Sequence, residues 1–248
     1  MRYLINLSYN GSLFYGYQIQ NNKITVEGEI EKTLSKILNT NINTIAASRT
    51  DKGVHAINQY CHFDYDKRIN LKKLTHGINS LINDGVYIKK INKVNDEFHA
   101  RYDVKEKEYI YKINMGEYNP IEKDYVYQYN KNIKKELIDK FISIMNGEHN
   151  FRSFTSDKDK ESYIRTINID YKIHNKVLYL RFRSSGFLRY MIRNIVGLLI
   201  DINDNKKSLD DIKYIFDSKN RCSLGNCAPS EGLYLNKILY WHKNKIVV

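Results

Sequence analysis

The chain has 248 residues and carries 40 Lys+Arg against 28 Asp+Glu, a formal net charge of +12. That length suits one large domain or two of ordinary size with a real core, and the charge points to a polyanionic partner, nucleic acid before an anionic membrane surface. Three cysteines form no C-x-x-C pair and no Cys/His spacing suited to zinc; the sparse, odd count fits a reducing cytoplasm, the N-terminus does not read as a signal peptide, and no apolar run approaches the ~20 residues that span a bilayer.

In chain order, Tyr3, Ile5, Leu7 and Tyr9 alternate within Arg2 to Tyr9 and predict a strand. Val26, Ile30, Leu34 and Leu38 recur at helical spacing behind Thr25, an N-cap residue. Thr44 to Ala47 and Gln59 to Phe63 read as strands on either side of a polar segment. Leu71, Leu74, Ile78 and Leu81 predict a second helix behind Asn70, and Val86 to Val94 a further strand. The order is β-α-β-β-α-β, the ferredoxin-like arrangement.

The second half is expected to repeat it. Tyr109, Tyr111 and Ile113 alternate in a strand; Ile133, Leu137, Phe141 and Ile144 mark a helix that Gly147 can cap. Strands follow at Ile164 to Ile173 and Val177 to Ser184, then a helix from Phe187 to Ile202 and a short one from Leu209 to Phe216 with Ser208 as N-cap. A last strand runs from Leu233 to Trp241. The fold class is therefore α+β, two ferredoxin-like halves at 1–103 and 104–248, with antiparallel sheets flanking a basic central cleft. No residue-level repeat links the halves.

Three groups of residues could carry chemistry. SRTDKGVHA, Ser48 to Ala56, crowds Arg49, Asp51, Lys52 and His55 around one glycine. An isolated Asp-x-Gly of this kind is more often a solvated hairpin tip, yet an Asp held by Arg keeps a low pKa and oriented oxygens. Further on, four of the eleven arginines, Arg181, Arg183, Arg189 and Arg193, fall in one short window, where the planar guanidinium offers a fork that Lys lacks. In FLRYMIRNIVGLLI, with Ile192, Ile195, Val196 and Leu199 as the apolar stripe, Arg189 and Arg193 stand one turn apart; Arg193 either snorkels to water or pairs with a carboxylate or phosphate. Tyr109 and Tyr111 share a strand face, as core residues or as a platform for a flipped base. No P-loop, dinucleotide fingerprint, RNP1 stretch or zinc-deaminase signature is present.

SRTDKGVHA resembles the G-R-T-D-x-G-V-H-A signature of the TruA-type tRNA pseudouridine synthases. NGSLFYGYQIQ at Asn10 to Gln20 with TVEGEIE, FHARYDVKEKEYIY at Phe98 to Tyr111, FRSFTS at Phe151, IRTI at Ile164, FLRYMIRNIVG at Phe187 and EGLYL at Glu231 are similar to that family's other blocks, in order and nearly end to end. Ser48, Asn10 and Tyr17 depart from the usual Gly, Asp and Trp. The resemblance implies isomerisation of uridine to pseudouridine at positions 38 to 40 of the tRNA anticodon arm, by base flipping and without metal or cofactor. It implies that Asp51 is the catalytic aspartate, acting at uracil C6 or at the ribose. Arg49 and Arg193 would orient Asp51 or grip phosphate, and Tyr109 would stack on the base and be placed to move a proton. Lys52, His55, Arg152, Arg165, Arg181 and Arg189 are the expected substrate contacts. A cytoplasmic homodimer is implied as well.

Overall fold

Strand β1 (Arg2–Tyr9) is the spine of the first of two units in the computed structural model, which describes residues 1–241. The units are Met1–Lys107 joined by the chain from Tyr234, and Glu108–Leu233. In the first, β1 pairs antiparallel with β3 (His55–Asp64) on one side and β4 (Val86–Val94) on the other. The two-residue strand β2 (Ile45–Ala46) joins the far end of β3 through Ile45 and Ala46 opposite His62 and Cys61. Between the strands lie α1 (Val26–Leu38) and α2 (Leu71–Asn79), each opened by the expected cap: Thr25 accepts from the Gly28 N–H and Asn70 from the Lys73 N–H.

Tyr3, Ile5, Leu7 and Tyr9 are buried as their alternation predicts, and α1 adds Val26, Ile30 and Leu34 to the core. Leu4, on the opposite face of β1, is buried too, in a small cluster with Val94, Phe98 and Ala100 edged by Tyr60 and Tyr240. The sheet is thus covered on both faces at its centre. Leu81, expected on the helical stripe, falls beyond α2 and is exposed.

The second unit carries β5 (Val104–Asn114, which begins in the first unit), the short β6 (Tyr127–Gln128) parallel to it, α3 (Lys135–Met145), β7 (Gly147–Asn150), β8 (Ile164–His174), β9 (Val177–Ser184), α4 (Met191–Asn203) and α5 (Asp211–Ser218). Its sheet runs β5-β9-β8-β7. β8 and β9 form a hairpin whose two turn residues, Asn175 and Lys176, both have positive φ, the hand that matches the twist of the paired strands.

Three expectations change. The last strand, β10 (Leu233–Tyr240), was read as closing the second half; beyond Leu233 it belongs with the first unit, where Tyr234 and Leu235 pair in parallel with His55 and Ala56 at the near end of β3. Residues 242–248 of the expected second domain lie outside the described residues. The helix expected from Phe187 begins at Met191, because Tyr190 takes a left-handed φ of 62°. Arg189 therefore precedes the helix and is not one helical turn from Arg193. On α3 the buried positions are Ile138, Phe141 and Met145, whereas Leu137 and Ile144 are not buried. Among the described residues no helix is long and apolar enough to cross a membrane.

Candidate active site

The segment Ser48 to Val54 crosses from β2 to β3 as a loop whose backbone is held at almost every step. Gln59, itself fully buried in β3, donates from Nε2 to the Ser48 carbonyl at 2.7 Å. The Thr50 carbonyl accepts from the Tyr17 N–H at 3.1 Å, and the Thr50 hydroxyl shares a buried 2.8 Å hydrogen bond with Tyr9. Val54 N–H closes a turn onto the Asp51 carbonyl at 3.2 Å, across Gly53 with its φ of 81°. These contacts place the half-buried Asp51 side chain on a fixed backbone, the arrangement that a reacting carboxylate needs.

The other motif residues divide by role. Arg49 is exposed and acts on Glu27: burial pushes the Glu27 carboxyl up, and the Ile19 N–H and the Arg49 guanidinium pull it back. Lys52 is exposed and lies over the Tyr15 ring, 4.3 Å from its centroid, with Lys23 on the same ring at 4.5 Å. His55 is buried. Its Nδ1 accepts from the Gly11 N–H at 3.1 Å, and its ring stacks on Tyr234 at 4.6 Å. This geometry makes His55 a post of the loop, in place of the RNA contact expected from the sequence.

In the second unit Tyr109 sits on β5, 6% exposed, edge-on to Phe187 with ring centroids 5.3 Å apart. Tyr111 is fully buried, donates to the Pro229 carbonyl at 2.6 Å, and has its phenol pushed well above the ordinary value by burial. Arg193 is half-buried among the mostly buried positions of α4. Its Nε donates to the Ala228 carbonyl at 2.8 Å and its own carbonyl accepts from the Ala228 N–H at 3.0 Å. Its guanidinium lies 5.3 Å from the centroid of Tyr190, and Arg189 lies 4.9 Å from the same ring. Arg193 also pulls down the Glu231 carboxyl, which burial pushes up. A bulky residue at positive φ is uncommon outside turns and functional sites; here Tyr190 both ends the approach to α4 and gathers two arginines.

Three more of the expected substrate contacts have partners of their own. Arg152 donates to the Asp157 carbonyl at 2.7 Å and lies over Tyr163. Arg165 donates to the Ser162 and Ile164 carbonyls. Arg181 forms a close ion pair with Asp170 at 2.7 Å, shared with Arg183 at 2.8 Å, and Glu108 stands 4.0 Å away. The sequence reading gave no functional role to Tyr9, Gln59, Lys107 or Tyr190. Gln59 and Lys107 left one signal, a long polar side chain inside a strand; Tyr190 left none, since its left-handed backbone has no marker residue.

The fold and the loop thus define an α+β protein built on mainly antiparallel strands, with an aspartate on a backbone-braced loop. A family model described as tRNA pseudouridine synthase matches residues 7–103 and 142–240. The tRNA pseudouridine synthase A of Mycoplasma genitalium is 42% identical over 96% of this chain and 98% of the relative, that of Mycoplasmoides gallisepticum 42% identical over 96% and 90%, and that of a Geobacillus strain 36% identical over 94% and 96%. Among solved structures, a chain of the crystal structure of a Cbf5-Nop10-Gar1 complex aligns over 92% of this chain and 50% of that one at TM-score 0.38 and 12% identity, too loose to add to the assignment. The chain belongs to the tRNA pseudouridine synthase family, a family of isomerases.

Proposed function

We propose that this protein converts uridine to pseudouridine at positions 38 to 40 of the tRNA anticodon arm, with Asp51 as the nucleophile. The reaction breaks the N1–C1′ bond and forms C5–C1′; C5 loses a proton and N1 gains one, so that the product is an isomer. No redox step or group donor is required. The target base sits in a stack and must be turned out to be reached.

The observation that carries the reading is the hold on Asp51. Its loop is tied by Tyr9, Tyr17 and Gln59, more restraint than a solvated hairpin tip requires, and it lies within a family match that spans most of the chain. In this reading Tyr109 stacks on the turned-out base and relays a proton, while Arg193 and Arg49 orient Asp51 or hold phosphate. Lys52, Arg189, Arg152 and Arg165 are the phosphate contacts; Arg181 is the weakest member, because Asp170 already occupies its fork. The family resemblance further supports a homodimer in the cytoplasm, and a solution mass of two chains is the expected result.

The test is Asp51→Asn. The variant keeps the shape of the side chain, so tRNA affinity and thermal stability should stay near wild type while pseudouridine formation is lost. A purified Asp51→Asn protein that still turned over at a tenth of the normal rate would remove the nucleophile assignment. Pseudouridine mapping in tRNA from cells lacking the gene, with and without its return, checks the positions.

A further inference from the structure

Lys107 lies on β5, half-buried, and its ammonium donates to the Ala47 carbonyl at 2.7 Å. Ala47 is fully buried and is the last residue before the motif loop; its N–H is already given to the Tyr60 carbonyl at 2.8 Å. The residue that leads into Ser48, Arg49, Thr50 and Asp51 is therefore held on both sides, its N–H by the strand and its carbonyl by a cation. Gln59 then takes the very next carbonyl, that of Ser48. Two long polar side chains thus meet successive carbonyls at the root of the loop.

The choice of a lysine there needs a reason. A buried ammonium carries a desolvation cost that a neutral donor does not, and burial, with the Arg101 guanidinium adding to it, brings the Lys107 amine down to about 8. A glutamine can donate to a buried carbonyl without that cost, as Gln59 does at the neighbouring residue. What the charge adds is strength and direction, since a hydrogen bond from an ionised donor is roughly twice as strong as a neutral one. We propose that Lys107 is a positioning residue for the reaction, its ammonium orienting the Ala47 peptide and through it the loop that presents Asp51. The inference rests on the catalytic reading of that loop.

The experiment compares Lys107→Met, Lys107→Gln and Lys107→Arg with wild type and with Asp51→Asn, on unmodified tRNA, following release of tritium from C5-labelled uridine. Misplacing a reacting group by a fraction of an ångström to 1 Å costs on the order of 10- to 100-fold. Lys107→Met should lose on the order of tenfold or more in kcat, with KM and tRNA Kd within about twofold of wild type. Lys107→Arg, which keeps the charge, should recover most of the loss, and Lys107→Gln should not. The thermal midpoint of Lys107→Met is measured beside these rates, because removing a half-buried charge and leaving the Ala47 carbonyl without this donor act in opposite directions on stability; should that variant fail to fold, Lys107→Gln carries the comparison alone. Normal kcat in Lys107→Gln, equal losses in the Arg and Gln variants, or a loss confined to KM would overturn the proposal. A normal Lys107 variant beside an inactive Asp51→Asn sinks this inference alone, whereas a wild-type protein inactive on tRNA, or an active Asp51→Asn, sinks the catalytic reading and this inference together.

Discussion

Arg193 and Arg189 flank one tyrosine but are held differently, and that difference separates their expected effects. Arg193 uses its Nε on the Ala228 carbonyl and the face of its guanidinium on Tyr190. Lysine has no donor at the Nε position and no planar face. Arg193→Lys is therefore expected to cut kcat by on the order of tenfold or more while changing tRNA affinity little. Arg189 is exposed and touches Tyr190 through its Nη2, 3.1 Å from the phenolic oxygen. Arg189→Ala should show the reverse split, weaker binding with kcat near wild type. Equilibrium binding and single-turnover rates on the same tRNA separate the two cases, and wild-type turnover in Arg193→Lys would take Arg193 off the catalytic set. The sequence pointed to these arginines by their clustering, but the left-handed Tyr190 between them carries no composition signal and was seen only in the fold.

At the scale of elements, the motif loop is positioned by the short turn that follows β1. Gly11 opens a single 3-10 turn, Gly11–Leu13, and its N–H reaches His55 at the start of β3. A Cβ on Gly11 would overlap the Val54 carbonyl and stand 2.9 Å from the Gly53 carbonyl carbon. Backbone is meeting backbone there, so no flexible side chain can yield. Gly11→Ala is expected to destabilise the protein by about 1–3 kcal/mol, the usual range for overpacking, and to slow turnover by more than the lost folded fraction explains. Urea unfolding together with kcat measured at full folding checks both parts; a Gly11→Ala protein with an unchanged midpoint would mean that the two segments do not approach this closely. The stretch NGSLFYGYQIQ was recognisable as a family block, but its job of bracing the catalytic loop is visible only as contacts between residues some forty positions apart.

For the whole molecule, the net charge of +12 sets the expected binding behaviour. Each phosphate contact releases counterions and adds about −0.7 to −0.9 to the slope of log K against log salt. Binding of tRNA should weaken steeply from low to physiological salt and vary only mildly with the sequence of the anticodon arm. Lys52→Ala should take about one unit off the slope. Binding that ignored salt would point away from a polyanionic substrate altogether.

What the sequence by itself determined was whatever repeats locally. The strands β1, β4, β8 and β9, the helix α1 and the caps Thr25 and Asn70 were legible because a period of two or 3.6, or a single side chain reaching a neighbouring N–H, is complete within a few residues. The identity of the loop was legible as well, since its residues lie side by side. Tertiary structure alone decided the rest. β10 joins the first unit because its partner, His55–Ala56, lies some 180 positions earlier, and no local pattern records a partner so distant. His55 became a buried post because Gly11 and Tyr234 close over it. Arg181 was claimed by Asp170 across a hairpin. A charged side chain reads the same in sequence whether it faces solvent, a carboxylate or a buried carbonyl; which of these it meets is settled by packing, where burial raises the cost of a charge and the partner offsets it.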